Sequence, residues 1–333
     1  MKIRHWLLAT AGLGLILGAL YLAKVSPLEA ARTLFQGTLG SASAFSGTLR
    51  ETSPLLIAGI AVFIALRAGL FNIGAEGQLV VGALTSAALG LRFPGPVGLI
   101  LGMIGAAIVG ALWALPAGLI KAYRGGHEVI TTIMLNSVAV FVTNAIVAGP
   151  LRDTSQESPT TRMLSDQTRL PWLFKSPALE ISSGVLLGLV LLIAFASWLK
   201  SYVSGYELRA VGANRRAATL AGIATKKTIV WSMTASGAVA GLAGGVQVMG
   251  YTGRFYSDFS PGFGFNALGV ALLAGGSALA ILPAAFFFGM LAKGSAALQI
   301  LGVPKGTSFM VLGVLITVFA AVRYRKASME SAS

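Results

Sequence analysis

The chain has 333 residues, 55% of them hydrophobic and only 11% charged, with 42 glycines and a mean hydropathy of +0.80. So much apolar surface cannot be hidden in one soluble core, and the composition is that of an integral membrane protein. The net charge of +14 does not point to nucleic acid, because the basic residues cluster in short links between apolar runs, the positive-inside pattern. With no cysteine and only His5 and His127, disulfides, thiolate metal sites and a histidine-rich metal centre are excluded, and no cofactor is indicated.

Ten apolar runs fall at about residues 6–23, 54–70, 77–91, 97–120, 129–148, 183–199, 228–249, 265–276, 280–300 and 308–322. They predict an all-α polytopic bundle of ten membrane-spanning helices, or eight if two runs are re-entrant. The first run follows Lys2 and Arg4 and exceeds the roughly 7 to 15 residues of a cleaved signal's apolar part, so it is expected to remain as a span. Ser26-Pro27-Leu28-Glu29 has the form of a helix start: Ser26 as cap, Pro27 at the first position, Glu29 closing a capping box. The weakly apolar stretch from there to about Leu49 is expected to be an outer surface helix rather than part of a span.

The runs at 54–66, 77–91 and 265–276 are short for a simple crossing. Two of the short regions open on the same pair, Phe71-Asn72 and Phe265-Asn266. Short, glycine-interrupted runs at matching places of two repeats point to broken helices around a transport path. The expected layout is one membrane-spanning domain over 1–333, built from two pseudo-repeated halves at about 1–150 and 183–322, with an outer loop at 149–181. Glu76 sits inside this apolar sequence. A charge near the bilayer centre costs roughly 3 kcal/mol and normally faces a bundle interior, a partner or a watery path. Two readings stay open: Glu76 and Gln78 hydrogen-bond a passing solute, or Glu76 pairs with Arg67 and closes the bundle. Asn72 and Asn266 suit weak, reversible solute contact, while Phe71 and Phe265 either stack on a solute or pack.

Further along, Lys121 to Glu128 is expected inside. His127-Glu128 is followed by Thr131 where a zinc protease would need its second histidine, and this side is a candidate for a small partner contact. Asn136, with Thr131 and Thr132, reads as interhelical hydrogen bonding. The link at 148–181 balances acidic and basic residues and belongs outside. The link at 200–227 carries Lys200, Arg209, Arg215, Arg216, Lys226 and Lys227 against Glu207 alone, so it and both termini are placed in the cytoplasm. Within it, Ala217, Ala218, Ala221 and Gly222 predict a narrow helical face, flanked by arginines, able to enter a groove on another protein. An ordinary basic loop would be patterned similarly. Gly237, Gly241 and Gly245 form a doubled GxxxG ridge for close helix contact, and Lys293 is expected to snorkel or to pair within the bundle.

The stretch Gly205 to Ile223 resembles the coupling region of ABC importer permeases of the branched-chain amino acid and simple-sugar superfamily. Leu70-Phe-Asn-Ile-Gly-Ala-Glu-Gly-Gln78, Glu128-Val-Ile-Thr-Thr-Ile-Met-Leu-Asn136 and Gly262-Phe-Gly-Phe-Asn266 resemble its nucleoside-type permeases, in order and spacing from about residue 54 to 300. The family more often carries aspartate where this chain has Asn266, so a role that needs that charge does not carry over to this chain. The resemblance implies a substrate path along Phe71, Asn72, Glu76, Gln78, Phe265 and Asn266, and ATPase coupling through Gly212, Asn214, Arg215, Ala217, Ala218, Gly222 and Ile223. It implies three partners: a cytoplasmic ABC ATPase carrying the ATP and Mg, a second permease subunit of a different chain, and an extracytoplasmic substrate-binding protein. The location implied is a bacterial inner membrane, in contact with lipid. The chain has no GxxxxGK[ST] phosphate loop, so hydrolysis falls to the partner. A nucleoside is the expected cargo, a simple sugar such as a pentose the alternative, and an ion-coupled secondary transporter the rival class. No His, Asp, Cys or Ser cluster has catalytic spacing, so an enzyme is not expected.

Overall fold

The computed structural model describes residues 23–303, together with Thr10, Gly14, Leu17, Gly18 and Tyr21. The apolar run at 308–322, most of the run at 6–23 and both chain ends therefore lie outside the described residues. In chain order the described elements are α1 (Pro27–Thr38), α2 (Ala42–Arg67), α3 (Ala75–Arg92), α4 (Pro96–Leu119), α5 (Glu128–Ala148), β1 (Trp172–Lys175), β2 (Glu180–Ser182), α6 (Gly184–Ser201), α7 (Val203–Ala213), α8 (Arg215–Leu220), α9 (Thr225–Gln247), α10 (Phe263–Ala274) and α11 (Ile281–Ile300). Wider π-type turns extend α4 to Arg124 and α9 to Thr252. Each of the other eight apolar runs forms a helix. Six of these, α2, α4, α5, α6, α9 and α11, are long and apolar enough to cross a membrane, which makes the fold an all-α polytopic one.

Ser26 caps α1 as expected, its hydroxyl accepting the Glu29 amide at 3.1 Å, with Pro27 opening the helix. The next expectation fails. The surface stretch does not last to Leu49, because α2 begins at Ala42 and runs 26 residues through Pro54, so the run at 54–66 is not a short broken helix. Ser41 accepts the Ala44 amide at 3.0 Å and starts α2 early. The polar residues that hid this first half are turned inward: buried Thr48 donates to the Thr38 carbonyl at 2.9 Å.

Contacts divide the described chain into two compact units. One holds the residues up to Glu51, Ser176–Leu179 and those from Phe286 onward. In it, α1 and the start of α2 pack on α11, with Gly37 against Ala297 and Gly294 against Leu34 and Thr38. Gly47 leaves a notch for the Lys293 stem, whose ammonium lies within electrostatic reach of Glu51, so the lysine is housed inside this unit.

The other unit comprises Thr52–Lys175 and Glu180–Ala285. Its centre is the packing of α3, α4 and α9, and glycine makes it possible. Gly82 meets the Gly241 backbone, Gly110 meets Gly237 and Gly241, and Gly244 lies against the Leu79 carbonyl. A Cβ at any of these would land on a neighbouring backbone, so the GxxxG ridge works as the sequence suggested. The helix α3 is enclosed along almost its whole length. The outer loop is ordered: the amides of Thr161, Leu164 and Leu170 each bond a carbonyl of Phe255, Gly253 and Met249 at 2.8 Å, strapping the loop onto the end of α9. Asp153 in this loop accepts from the Ser155 hydroxyl at 2.7 Å and from its amide at 3.1 Å, which holds its carboxyl below the ordinary range.

Candidate functional site

The segment between α2 and α3 is a tight turn in which Leu70, Asn72 and Gly74 are buried and Phe71 is exposed. The Leu70 amide returns to the Ala65 carbonyl at 3.0 Å, and Gly69 takes a left-handed conformation at φ 73°. Phe71 to Gly74 is then non-helical before α3 opens at Ala75. Four helices are laced together here by amide side chains. Asn72 and Gln78 exchange two hydrogen bonds, at 2.8 and 3.1 Å, and Asn72 also donates to the Ser236 hydroxyl on α9 at 2.8 Å. Ser236 in turn donates to the Ala61 carbonyl on α2 at 2.6 Å. From α5, Asn136 accepts the Gly77 amide at 2.8 Å and donates to the Ile73 carbonyl at 2.9 Å. Each amide uses both its donor and its acceptor, so the network has one self-consistent arrangement.

The second half of the site is the start of α10. Gly262, at φ 97°, turns the chain so that the first amides of α10 point at α3. Glu76 Oε2 accepts from the Gly264 amide at 2.6 Å, and the Ser260 hydroxyl and the Gly262 and Phe265 amides also face the carboxylate. A negative group at a helix N-terminus satisfies unpaired N–H groups and complements the helix dipole. The approach is so close that a Cβ on Gly264 would fall on the Glu76 backbone. Glu76, only 6% exposed, thus joins two short helix starts rather than meeting Arg67, whose guanidinium lies 5.8 Å over the Phe63 ring.

The six residues expected along the path therefore divide. Asn72, Glu76 and Gln78 are buried in the lacing, whereas Phe71 is 44% exposed, Phe265 52% exposed and Asn266 half-buried. The Phe-Asn pairs that match in sequence differ in geometry: Asn72 lies in the turn before its helix, Asn266 within the first turn of α10. Ser236 and Ser260 were missed, and nothing in their local sequence distinguishes them from packing serines. Glu128 is turned inward, its carboxylate 2.7 Å from Lys121 Nζ and facing the Phe71 amide, so it braces the same turn and is not offered to a partner.

The basic link folds as two short helices. Asn214 caps α8 by accepting the Ala217 amide at 3.0 Å, and Gly222, at φ 84°, closes it in the left-handed conformation that suits glycine. Arg215 and Ala217 are exposed, Ala218 is buried and Ile223 half-buried, so the small-residue face is not uniformly outward. Leu220, 86% exposed at the end of α8, is the apolar residue that projects, and the alanine pattern had obscured it. Gly212 packs against the Arg67 carbonyl and Gly69 at the end of α2, where a Cβ has no room. Among the described residues, no group of acidic, cysteine and histidine side chains could hold a metal.

Residues 44–320 match the family described as branched-chain amino acid transport system / permease component. The chain is 35% identical to the guanosine ABC transporter permease protein NupP of Bacillus subtilis, over 94% of this chain and 91% of that one. It is 34% identical to the glucose ABC transporter permease protein TsgB13 of Haloferax volcanii, over 92% and 85%. Identity to the nucleoside ABC transporter permease protein NupB of Lactococcus lactis is 32%, over 93% and 88%. No solved structure matches it.

Proposed function

This chain belongs to the family of permease components of branched-chain amino acid transport systems, and from that premise we propose that it forms the membrane path by which an ATP-driven importer takes up nucleosides. It is a multi-pass transport subunit and not an enzyme. ATP and Mg are held by a separate ABC ATPase on the cytoplasmic face, a second permease chain of different sequence completes the path, and an extracytoplasmic binding protein delivers the cargo. The N- and C-termini lie in the cytoplasm, by the charge of the links.

The observation that carries the nucleoside reading is similarity along nearly the whole chain to two permeases named for guanosine or nucleosides. The geometry supports it: the exposed Phe71 and Phe265 rings stand at two helix starts that Glu76 holds together, where a flat base can be stacked and released. Asn266, part-exposed beside Phe265, offers an uncharged donor and acceptor. The path opens and closes by alternating access as the ATPase pair works against α8. Gly212 seats the α7 end on Arg67 and Gly69, two residues before Phe71, so a displacement of α8 reaches the turn at Phe71 directly.

A monosaccharide is the second reading, favoured by the likeness to a glucose permease. Reconstitution with the partner chains and ATP, followed by uptake of labelled guanosine, ribose and glucose, separates the two. Guanosine uptake is the expected result; uptake of a sugar with guanosine excluded would assign the chain to the monosaccharide branch.

A further inference from the structure

The helix α7 presents a face that neither transport nor internal packing uses. Its inward positions, Gly205, Leu208 and Val211, are buried at spacings of three. The opposite face carries Tyr202, Val203 and Tyr206, all largely exposed, with Val203 at 75%. Such an aromatic and aliphatic patch on a short helix needs a covering.

The chain fixes the depth of this patch. The spanning helix α6 ends at Ser201, two residues before α7 begins. A Cβ on Gly205 would strike the Trp198 and Leu199 carbonyls, so α7 folds back alongside the last turn of the span instead of projecting away from it. The outward stripe of α6, with Leu186, Val190 and Ile193 exposed, leads to exposed Lys200 and on to Tyr202, Val203 and Tyr206. The exposed apolar stripe of α6 is thus followed, past Ser197 and Lys200, by the exposed residues at the start of α7. Trp198 donates to the Ser204 hydroxyl at 3.0 Å and lies 5.3 Å from the Trp231 ring, placing indoles at the same level. Close by in the fold, Lys226 Nζ stands 5.4 Å over the exposed Tyr123 ring, and Lys227 is exposed beside it. Between Lys200 and Lys227 the single carboxylate, Glu207, is half-buried on α7. Tyrosine and tryptophan at the end of an apolar span, ringed by lysine and arginine, match the headgroup layer and an acidic lipid surface.

We propose that α7 lies in the membrane interface, with Tyr202, Val203 and Tyr206 among the headgroups and upper acyl chains, and that Lys200 with the neighbouring Arg209, Lys226 and Lys227 binds the phosphates of acidic phospholipids. The lipid surface then sets the angle at which α8 is presented to its cytoplasmic partner, and lipid charge tunes coupling without touching the cargo path.

The chain has no cysteine, so Val203→Cys and Tyr206→Cys each give a single labelling site, with Arg216→Cys on exposed α8 as the aqueous control. Full-length protein carrying a nitroxide at each site is placed in vesicles of phosphatidylcholine with phosphatidylglycerol, with and without the partner ATPase. Labels at 203 and 206 are expected to be reached several-fold better by oxygen than by a water-soluble nickel chelate whether or not ATPase is present, with 216 giving the aqueous reference in the ATPase-free vesicles. Water exposure at 203 and 206 that disappears only when ATPase binds would overturn the proposal and assign the face to the ATPase. In a second measurement, removing phosphatidylglycerol should reduce transport-coupled ATP hydrolysis in the unsubstituted complex and have no effect in K200Q/K226Q/K227Q. Equal dependence on phosphatidylglycerol in both would also overturn it. The labelling readout does not depend on which solute is carried, whereas the hydrolysis readout rests on the ATP-driven transport proposed above.

Discussion

The Glu76 carboxylate and the Gly264 amide, 188 positions apart in the chain, are joined by a 2.6 Å hydrogen bond that ties the first turn of α3 to the first turn of α10. The bond is buried and lies at the N-terminal end of a helix, two conditions that strengthen a hydrogen bond. Removing the acceptor leaves several amides facing an empty space. Glu76→Ala is expected to cost about 1–3 kcal/mol, since buried donors are left unpaired, and to lower the thermal midpoint of the purified permease. Glu76→Gln keeps an acceptor and should retain a larger part of that stability. Equal midpoints for the unsubstituted chain and the alanine variant would show that the carboxylate does not hold α10.

Gly264 makes the complementary case. Its α-hydrogen faces the Glu76 backbone, so Gly264→Ala pushes the two helix starts apart. Overpacking of this kind costs about 1–3 kcal/mol. Uptake should fall with the midpoint, and a variant with unchanged midpoint and uptake would remove the close approach from the account.

The amide lacing gives a third test. Ser236 accepts a hydrogen bond from Asn72 and donates one to the Ala61 carbonyl, so Ser236→Ala removes a buried hydrogen bond from each of two elements. A loss of about 1–3 kcal/mol is expected. Ser236→Thr keeps the hydroxyl and tests whether the hydrogen bond or the space is what matters: near-normal stability in the threonine variant together with loss in alanine identifies the bond.

Much of this was legible in the chain, and the exceptions are instructive. Apolar runs located eight described helices because burial in lipid demands long apolar sequence, and Ser26-Pro27 announced its helix through capping chemistry that is local. The start of α2 was misread because threonines and serines that bond backward to their own bundle look, in sequence, like a wet surface. Glu76 was recognised as a charge needing an explanation, with a passing solute and Arg67 both open as its partner. The true partners are backbone amides of α10, and amides carry no sequence signature. The Phe-Asn pairs suggested symmetry, yet the same two letters fall before one helix and inside the other. On α8, small residues implied a uniform face, while helical geometry turns Ala218 in and leaves Leu220 out.

That last point yields a fourth prediction. Ala217 is exposed and Ala218 buried, so bulk at the two positions should act differently. Ala217→Trp is expected to leave folding and membrane insertion intact while uncoupling ATP hydrolysis from uptake. Ala218→Trp should lower the thermal midpoint first. Normal uptake by the Ala217 variant would remove α8 from the coupling path.

The most direct test of the central claim is guanosine accumulation by the reconstituted complex with ATP supplied on the ATPase side and the proton gradient collapsed. ATP-driven import through this chain predicts that accumulation persists and stops when ATP is withheld. Accumulation that follows the proton gradient and ignores ATP would contradict it.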